Sequence, residues 1–114
     1  MVCFSKSRRL LTKQVYAAVF KTGKSLITPE FIVLHKKNDQ PNARLGFAIA
    51  KKKIPLACQR NRIKRLLRES FREVMLPTID VIFLPKYNLS KRSNVLILKN
   101  IAILWETLTI FYEQ

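Results

Sequence analysis

The stretch CQRNRIKRLLRES, residues 58–70, predicts an amphipathic helix with a large excess of positive charge. Its apolar residues, with two that follow it, recur at helical spacing and form one face: Ile63, Leu66, Leu67, Phe71 and Val74. Beside them runs a stripe of cations, four residues apart, that we expect to be exposed: Arg60, Lys64, Arg68 and Arg72. At 1.5 Å per residue, successive cations lie about 6 Å apart, which is comparable with the spacing of backbone phosphates.

The sequence around this helix does not neutralise its charge. Residues 44–72 contain ten basic residues and one acidic residue, Glu69, whereas a merely solvated helix usually mixes both signs. Asn61 and Arg65 widen the stripe, but Arg62 falls outside it, near Glu69. For Arg62 alone, a solvated charge or a weak ion pair is the simpler interpretation. The stripe as a whole favours an anionic partner.

Composition points the same way. The chain has 114 residues, of which 22 are Lys or Arg and seven are Asp or Glu, so its net charge is +15. Such a charge opposes compaction and favours a polyanion, with nucleic acid the usual candidate and an anionic membrane surface the main competitor. Because 48% of the residues are hydrophobic and only two are Gly, we expect a folded chain, with one domain over residues 1–114.

Cysteine usage and the termini indicate a soluble cytoplasmic protein. Cys3 and Cys58 are too few for a disulfide framework, and no Cys/His cluster suggests zinc. The N-terminal MVCFSKSRRLL is too charged for a signal peptide. The apolar run NVLILKNIAILWETLTIFY is interrupted by Lys99 and Glu106, so we do not expect it to span a membrane.

The N-terminal half of the chain predicts one helix and two strands. TKQVYAAVFKTG predicts a short helix from the N-cap Thr12 to Gly23. Tyr16 and Phe20 lie on its apolar face, and from spacing alone the core is the simpler place for both. EFIVLHKK and RLGFAIAKKK predict strands, which we expect to be antiparallel neighbours.

The C-terminal half predicts a buried strand, IDVIFLPK, and a last helix capped by Ser90 or Ser93, although the β-branched start of that segment also suits a strand. The helix would bury one face: Ile97, Ile101, Leu104, Leu108 and Phe111. The result is an α+β fold, a single-domain α/β sandwich in the order α-β-β-(β)-α-β-α, where the bracketed strand is optional.

The carboxylates and the single histidine do not suggest a protein active site. Hydrolysis by side chains requires an acid–base pair or a metal cage. The seven carboxylates are scattered, and no two share a spacing suited to a metal. His35 is most simply a surface or edge residue. We predict no catalytic and no metal-ligating residue in the chain.

The motif RNRIKRLLRES, preceded by GFAIAKKK, closely resembles the signature of the bacterial ribonuclease P protein component. VYAAVFKTGKS, PEFIVLH and RLGFAIAKK resemble the first helix and the first two strands of that family, so the resemblance covers roughly residues 5–85. It implies a protein subunit of an endoribonuclease that removes the 5′ leader of precursor tRNA. The RNA subunit would carry the chemistry, with Mg²⁺ bound mainly by that RNA.

The resemblance also implies roles for individual residues. The residues that would bind the ribonuclease P RNA are Arg60, Asn61, Arg62, Lys64, Arg65 and Arg68. Those that would hold the precursor tRNA leader, in a cleft between the first helix and the sheet, are Tyr16, Phe20, Phe31, Lys52 and Lys53. The family fold implies a left-handed β-α-β crossover through the basic helix, although the general rule predicts a right-handed one. No membrane and no obligate protein partner is expected.

Three other functions fit the charge. A general RNA-binding protein of ribosomal or RNA-chaperone type would use the same cations without a leader cleft. A duplex DNA-binding domain would place the helix in a major groove, but the stripe lacks the Gln, Ser and Thr usual for base readout. A membrane-surface protein would bind liposomes in the presence of competing RNA.

Overall fold

The computed structural model describes residues 13–112, which form three helices and four strands. In chain order these are α1 (Lys13–Thr22), β1 (Lys24–Ile27), β2 (Phe31–Lys37), β3 (Arg44–Phe47), α2 (Ala57–Arg72), β4 (Ile79–Pro85) and α3 (Asn94–Tyr112). The predicted α+β class and element order are confirmed, and the optional strand exists. The predicted N-cap Thr12 and the cysteine Cys3 lie outside the described residues.

The four strands form one sheet in the order β1-β2-β4-β3. Strand β2 pairs antiparallel with β1 and with β4, whereas β3 pairs with β4 in parallel. The prediction that β2 and β3 are antiparallel neighbours is therefore wrong, because β4 lies between them. Only Leu84 in β4 is not fully buried, and a strand buried on both faces belongs at the centre of a sheet. The β3-α2-β4 crossover follows from the parallel pairing, and its left-handedness stays a prediction.

Different helices cover the two faces of the sheet. Val33 and Phe83 lie opposite each other in the main core, which also contains the buried residues of α2 and α3. Ile82 points to the other face, since side chains alternate along a strand, and there it packs against Val19 of α1. The sheet is thus a middle layer between α1 on one side and α2 with α3 on the other.

Helix α3 packs one face against the core, between Ile97 and Leu108. Ser93 caps it by accepting a hydrogen bond from the Leu96 N–H at 3.2 Å, so the segment does not begin as a strand. Its buried residues are Ile97, Ile101, Leu104, Trp105 and Leu108. Phe111, predicted to join them, is 44% exposed. The helix has the length and the mean hydropathy, 1.5, of a membrane span, and 28% of that span is buried in the fold; a single helix of this kind is weak evidence for a membrane segment.

Gly23 allows the chain to turn sharply from α1 into β1. Its N–H donates to the Val19 carbonyl at 2.8 Å, and a Cβ at this position would collide with the same oxygen. Only glycine therefore permits this close approach, which fixes α1 against the sheet.

Candidate nucleic-acid interface

Helix α2 is held in one orientation by its buried face. The side chains of Ile63, Leu67 and Phe71 have no exposed surface. The Trp105 indole of α3 donates a hydrogen bond to the Ser70 hydroxyl at 2.7 Å, which ties the two helices together. Because the helix cannot rotate without breaking these contacts, the positions of its charged residues are fixed as well.

The outward side of α2 carries four of the predicted RNA-binding residues. Asn61 and Arg65 are exposed, and Lys64 and Arg68 are half-buried. The Arg68 guanidinium lies 5.2 Å from the centre of the Phe47 ring, in a cation–π contact on the side of β3. The expectation that the whole stripe is fully exposed is wrong, because all four of its cations are half-buried and their long stems cover apolar surface.

Arg60 binds the loop that precedes its own helix. Its Nη1 donates to the carbonyl oxygens of Ile54 at 2.9 Å and of Pro55 at 2.7 Å. The N-cap residue Leu56 has no side chain that can accept a hydrogen bond. Arg60 therefore stabilises the start of α2 through its Nη1. That its other guanidinium nitrogens contact RNA stays a prediction.

Arg62 points inward, toward the loop between β4 and α3. Its Nη1 donates to the Arg92 carbonyl and to Asn94 Oδ1, at 3.1 and 2.5 Å. Its Nη2 donates to the carbonyls of Leu89 and Ser90, at 3.3 and 3.1 Å, and its Nε to Gln59 Oε1 at 2.9 Å. These bonds engage all three nitrogens, so Arg62 is neither a solvated charge nor an ion pair. The structure shows that Arg62 clamps this loop, and its contact with RNA stays a prediction.

The surface beside α1 brings two aromatic residues to the outer face of the sheet. The Tyr16 hydroxyl accepts a hydrogen bond from the Phe47 N–H at 3.1 Å, so its half-buried ring is tied to the end of β3. Phe20, one helical turn later, is 48% exposed. The simpler interpretation, that both belong to the core, is wrong for Phe20, whose ring remains accessible to a ligand.

Phe31 does not join this aromatic pair. It is fully buried, and its ring meets Phe83 edge-on, with 5.4 Å between centroids. Alternation along β2 places Phe31 with Val33 on the face covered by α2 and α3, opposite to α1. Its predicted place in the cleft is therefore a mistake, because a buried ring offers no face to a base. Ile32 and Leu34, both half-buried, occupy the α1 side of this strand instead.

The lysines that precede α2 lie in an exposed turn, residues 51–53. Lys53 Nζ donates to the Lys86 carbonyl at 2.9 Å, which joins this turn to the end of β4. Lys52 is exposed. Arg44, counted with the same basic segment, is neutralised by a two-bond pair with Asp80, each bond 2.7 Å long. Within residues 44–72, the positive charge that no carboxylate neutralises therefore belongs to the turn and to α2.

Sequence reasoning treated the loop between β4 and α3 only as a connection. In the structure it is an exposed cationic surface beside the lysine turn, and it carries Lys86, Lys91 and Arg92. The sequence did indicate a cationic surface here, because it contains no Asp or Glu from Val81 to Trp105. A basic loop without acidic neighbours deserved the same weight as the basic helix.

Two titratable groups away from these cations, His35 and Tyr112, are wholly or partly buried. His35 is buried, so its assignment to the surface or an edge is wrong. Burial, and secondarily the charge of Lys24, lowers the pKa of His35. Burial likewise raises the pKa of Tyr112. Within residues 13–112, no three His, Cys, Asp or Glu side chains come together as a metal site.

The fold and the site define a class: a small α+β protein that presents a fixed row of cations suited to RNA. The sequence model of the family Ribonuclease P matches residues 4–109. The chain belongs to the ribonuclease P protein family.

Similar proteins agree with this placement. The ribonuclease P protein component of Legionella pneumophila (strain Lens) is 46% identical over 114 residues, all of both chains. That of Pseudoalteromonas atlantica is 42% identical over 107 residues, which cover 92% of this chain and 89% of the relative.

Solved structures show the same fold. The RNase P protein from Thermotoga maritima has a TM-score of 0.77 and 30% identity, and the match covers 87% of this chain and 96% of that one. An RNase P protein from Staphylococcus aureus has a TM-score of 0.83 at 23% identity, over 91% of this chain and 99% of that one, which supports the fold alone. Family membership makes the chain an RNA-binding subunit of the ribonuclease P endoribonuclease and favours this role over that of a general RNA-binding protein.

Proposed function

We propose that the outward side of α2 is the surface that binds the RNA subunit of ribonuclease P. The supporting observation is that Asn61, Lys64, Arg65 and Arg68 sit on a helix whose other side is locked in the core. Cations fixed in this way lose little conformational freedom when they meet phosphates, and they attract RNA without regard to its sequence. Arg60 supports this surface from the start of the helix.

We place the 5′ leader of precursor tRNA on the opposite side of the sheet, beside α1. Phe20 and the half-buried Tyr16 offer aromatic surface to unpaired bases, at about 1–3 kcal/mol for each stacked base. Lys52 and Lys53 would neutralise leader phosphates. Because α2 and α1 lie on different faces of the sheet, the protein can hold both RNAs at the same time.

In this proposal the RNA subunit cleaves the phosphodiester bond, and Mg²⁺ is bound mainly by that RNA, since phosphate oxygens are ligands that Mg²⁺ prefers. The metal supplies charge neutralisation and an activated water when it is bound. The protein lowers the repulsion between two polyanions and raises the affinity for substrate. We expect it to act in the cytoplasm on precursor tRNA, with no membrane and no obligate protein partner.

The deciding experiment measures cleavage of a precursor tRNA by a bacterial ribonuclease P RNA at low magnesium, with and without the protein. We expect the protein to restore cleavage, because its cations replace part of the screening that magnesium provides. Tight binding to the RNA without any rescue would contradict the proposal and would leave only a general RNA-binding protein.

A second arm of the same assay examines the cleft. Phe20→Ala should weaken binding of a leader-bearing substrate by about five- to tenfold and leave mature tRNA unchanged. Ile103→Ala is a matched control, since Ile103 is 54% exposed on α3, away from α1. If Phe20→Ala lowers the affinity for both tRNAs equally, or lowers the midpoint of thermal unfolding, Phe20 has a structural role instead.

A further inference from the structure

The loop between β4 and α3, residues 86–93, carries an exposed surface that the roles above do not use. Its side chains at the surface are Lys86, Tyr87, Asn88, Lys91, Arg92 and Ser93. The only carboxylate ion pair within residues 13–112 joins Arg44 to Asp80, so none of the loop cations is neutralised there. The loop thus combines one accessible aromatic ring with several unpaired positive charges.

This loop is built to keep one conformation. Arg62 of α2 binds three of its carbonyl oxygens and the Asn94 side chain. Leu89 is fully buried and anchors the centre of the loop in the core. The Asn88 side chain accepts a hydrogen bond from the Ser90 N–H at 2.9 Å. A loop held this firmly can bind a ligand with little cost in conformational entropy.

Tyr87 and Arg92 form a pair at the surface of this loop. Arg92 Nη2 donates to the Tyr87 hydroxyl at 2.9 Å, and the guanidinium carbon lies 5.6 Å from the ring centroid. Tyr87 is 37% exposed. Arg92 lies over one face of the ring, so a base stacked on the other face would bring its phosphate near a cation, whereas a duplex hides the faces of its bases.

We propose that Tyr87, Lys91 and Arg92 form a second binding site for unpaired RNA. A base stacks on Tyr87, and Lys91 and Arg92 hold the flanking phosphates. The Lys53–Lys86 hydrogen bond makes this site continuous with the lysine turn assigned to the leader. The identity of the bound RNA rests on the proposed function. This RNA is either a longer leader or an unpaired segment of the RNA subunit.

The test measures binding of the intact protein to a short unstructured RNA and to an RNA duplex of equal length. Tyr87→Ala should weaken binding of the unpaired RNA about five- to tenfold and change duplex binding less than about twofold. Tyr87→Phe should bind like the wild type, because the ring is kept. Lys91→Ala with Arg92→Ala should also lower the slope of log K against log salt by about 1.4 for unpaired RNA, or 0.7 for each phosphate contact.

Lys99→Ala is the matched control, since Lys99 is an exposed cation on α3, outside the loop. It should leave the preference for unpaired RNA unchanged. Equal loss of duplex and unpaired RNA in Tyr87→Ala, or no loss of either, would overturn the proposal.

Cleavage assays with a series of leader lengths identify the source of the RNA. A Tyr87→Ala defect that appears only with longer leaders assigns the site to the leader, and a defect at every length assigns it to the RNA subunit.

Arg65→Ala reports separately on the proposed function. If Arg65→Ala impairs assembly while Tyr87→Ala binds unpaired RNA normally, only the loop site fails. If the wild type gives no rescue but Tyr87→Ala still loses unpaired RNA, only the proposed function fails.

Discussion

His35 joins the second strand of the sheet to the end of α3. Its Nδ1 lies 2.6 Å from the Tyr112 hydroxyl, and its ring meets that of Phe111 edge-on, with 5.3 Å between centroids. Lys24 faces the same cluster, with its Nζ 4.9 Å from the centre of the Phe111 ring. Burial and this nearby cation both disfavour a charged imidazole, so the folded protein holds His35 neutral.

This arrangement predicts a loss of stability in acid. The pKa of His35 is lowered in the folded state from its ordinary value of 6.5, so the unfolded chain binds a proton more readily than the folded one. The stabilising contribution is therefore complete above about pH 6.5 and is lost as the pH falls from there through the folded pKa. Urea unfolding at pH 7.5 and at pH 5 should show this loss.

His35→Gln provides the comparison, since glutamine does not titrate. The variant starts from a lower stability but should lose less free energy of unfolding between the two pH values. If it loses as much as the wild type, the acid sensitivity belongs to other groups.

The aromatic residues show why sequence reasoning succeeds at some positions and fails at others. Tyr16 and Phe20 share a helical face, as the periodicity predicted, but only Tyr16 is partly buried, whereas Phe20 is exposed. Phe31 alternates with Ile32 along β2, but alternation does not tell which face of the sheet α1 will cover. That choice depends on the pairing of distant strands, and the role that the resemblance implied for Phe31 put this residue on the wrong face.

Within helix α2, some cations point toward the rest of the protein and others point toward solvent. The helical wheel predicted its buried residues correctly except for Val74, which lies beyond the end of the helix and is half-buried, because apolar periodicity records which side meets the core. It also separated Arg62 from the stripe. It gave no indication of the partners of Arg62, which are mostly backbone carbonyls of a loop 27 to 30 residues further along the chain. A backbone acceptor leaves no trace in residue types, so this clamp had to be seen in the structure.

Two substitutions three positions apart should therefore differ in their effect on stability. Arg62→Ala removes hydrogen bonds that hold the β4–α3 loop, and it should lower the free energy of unfolding by about 1–3 kcal/mol. Arg65→Ala removes an exposed charge, and it should change stability by less than about 0.5 kcal/mol. Urea unfolding measures both values.

Binding to the ribonuclease P RNA gives the complementary result. Arg65→Ala should weaken assembly and reduce the salt slope by about 0.7–0.9, the value for one lost phosphate contact. Arg62→Ala should leave that slope unchanged when the variant is folded. If Arg62→Ala reduces the slope and leaves stability intact, Arg62 contacts RNA as first predicted.

At the scale of the whole molecule, the sequence predicts the types of element well and their arrangement poorly. The continuous apolar run of β4 identifies a buried strand, but nothing local shows that it inserts between β2 and β3. The short strand β1 has only one partly buried residue, Leu26, so it lacks the alternation that reveals a strand. Its existence follows from pairing with β2 rather than from its own residues.

The net charge of +15 acts on the whole fold. Cations of α2, of the lysine turn and of the β4–α3 loop are attached to one small body, whose Cα radius of gyration is 13.4 Å. Unfolding separates these charges, so their repulsion favours the unfolded chain. A polyanion relieves this repulsion, and a bound RNA should therefore stabilise the protein that it binds.

Added salt should stabilise the free protein for the same reason. Screening shortens the Debye length from about 10 Å at 0.1 M to about 3 Å at 1 M, which weakens the repulsion among the exposed cations. Urea unfolding in NaCl should therefore give a free energy of unfolding that rises with ionic strength. Lys99→Glu lowers the net charge by two at an exposed position, so this variant should be more stable at low salt and gain less from added NaCl. A free energy that falls with salt in the wild type would show that attractive pairs outweigh the repulsion.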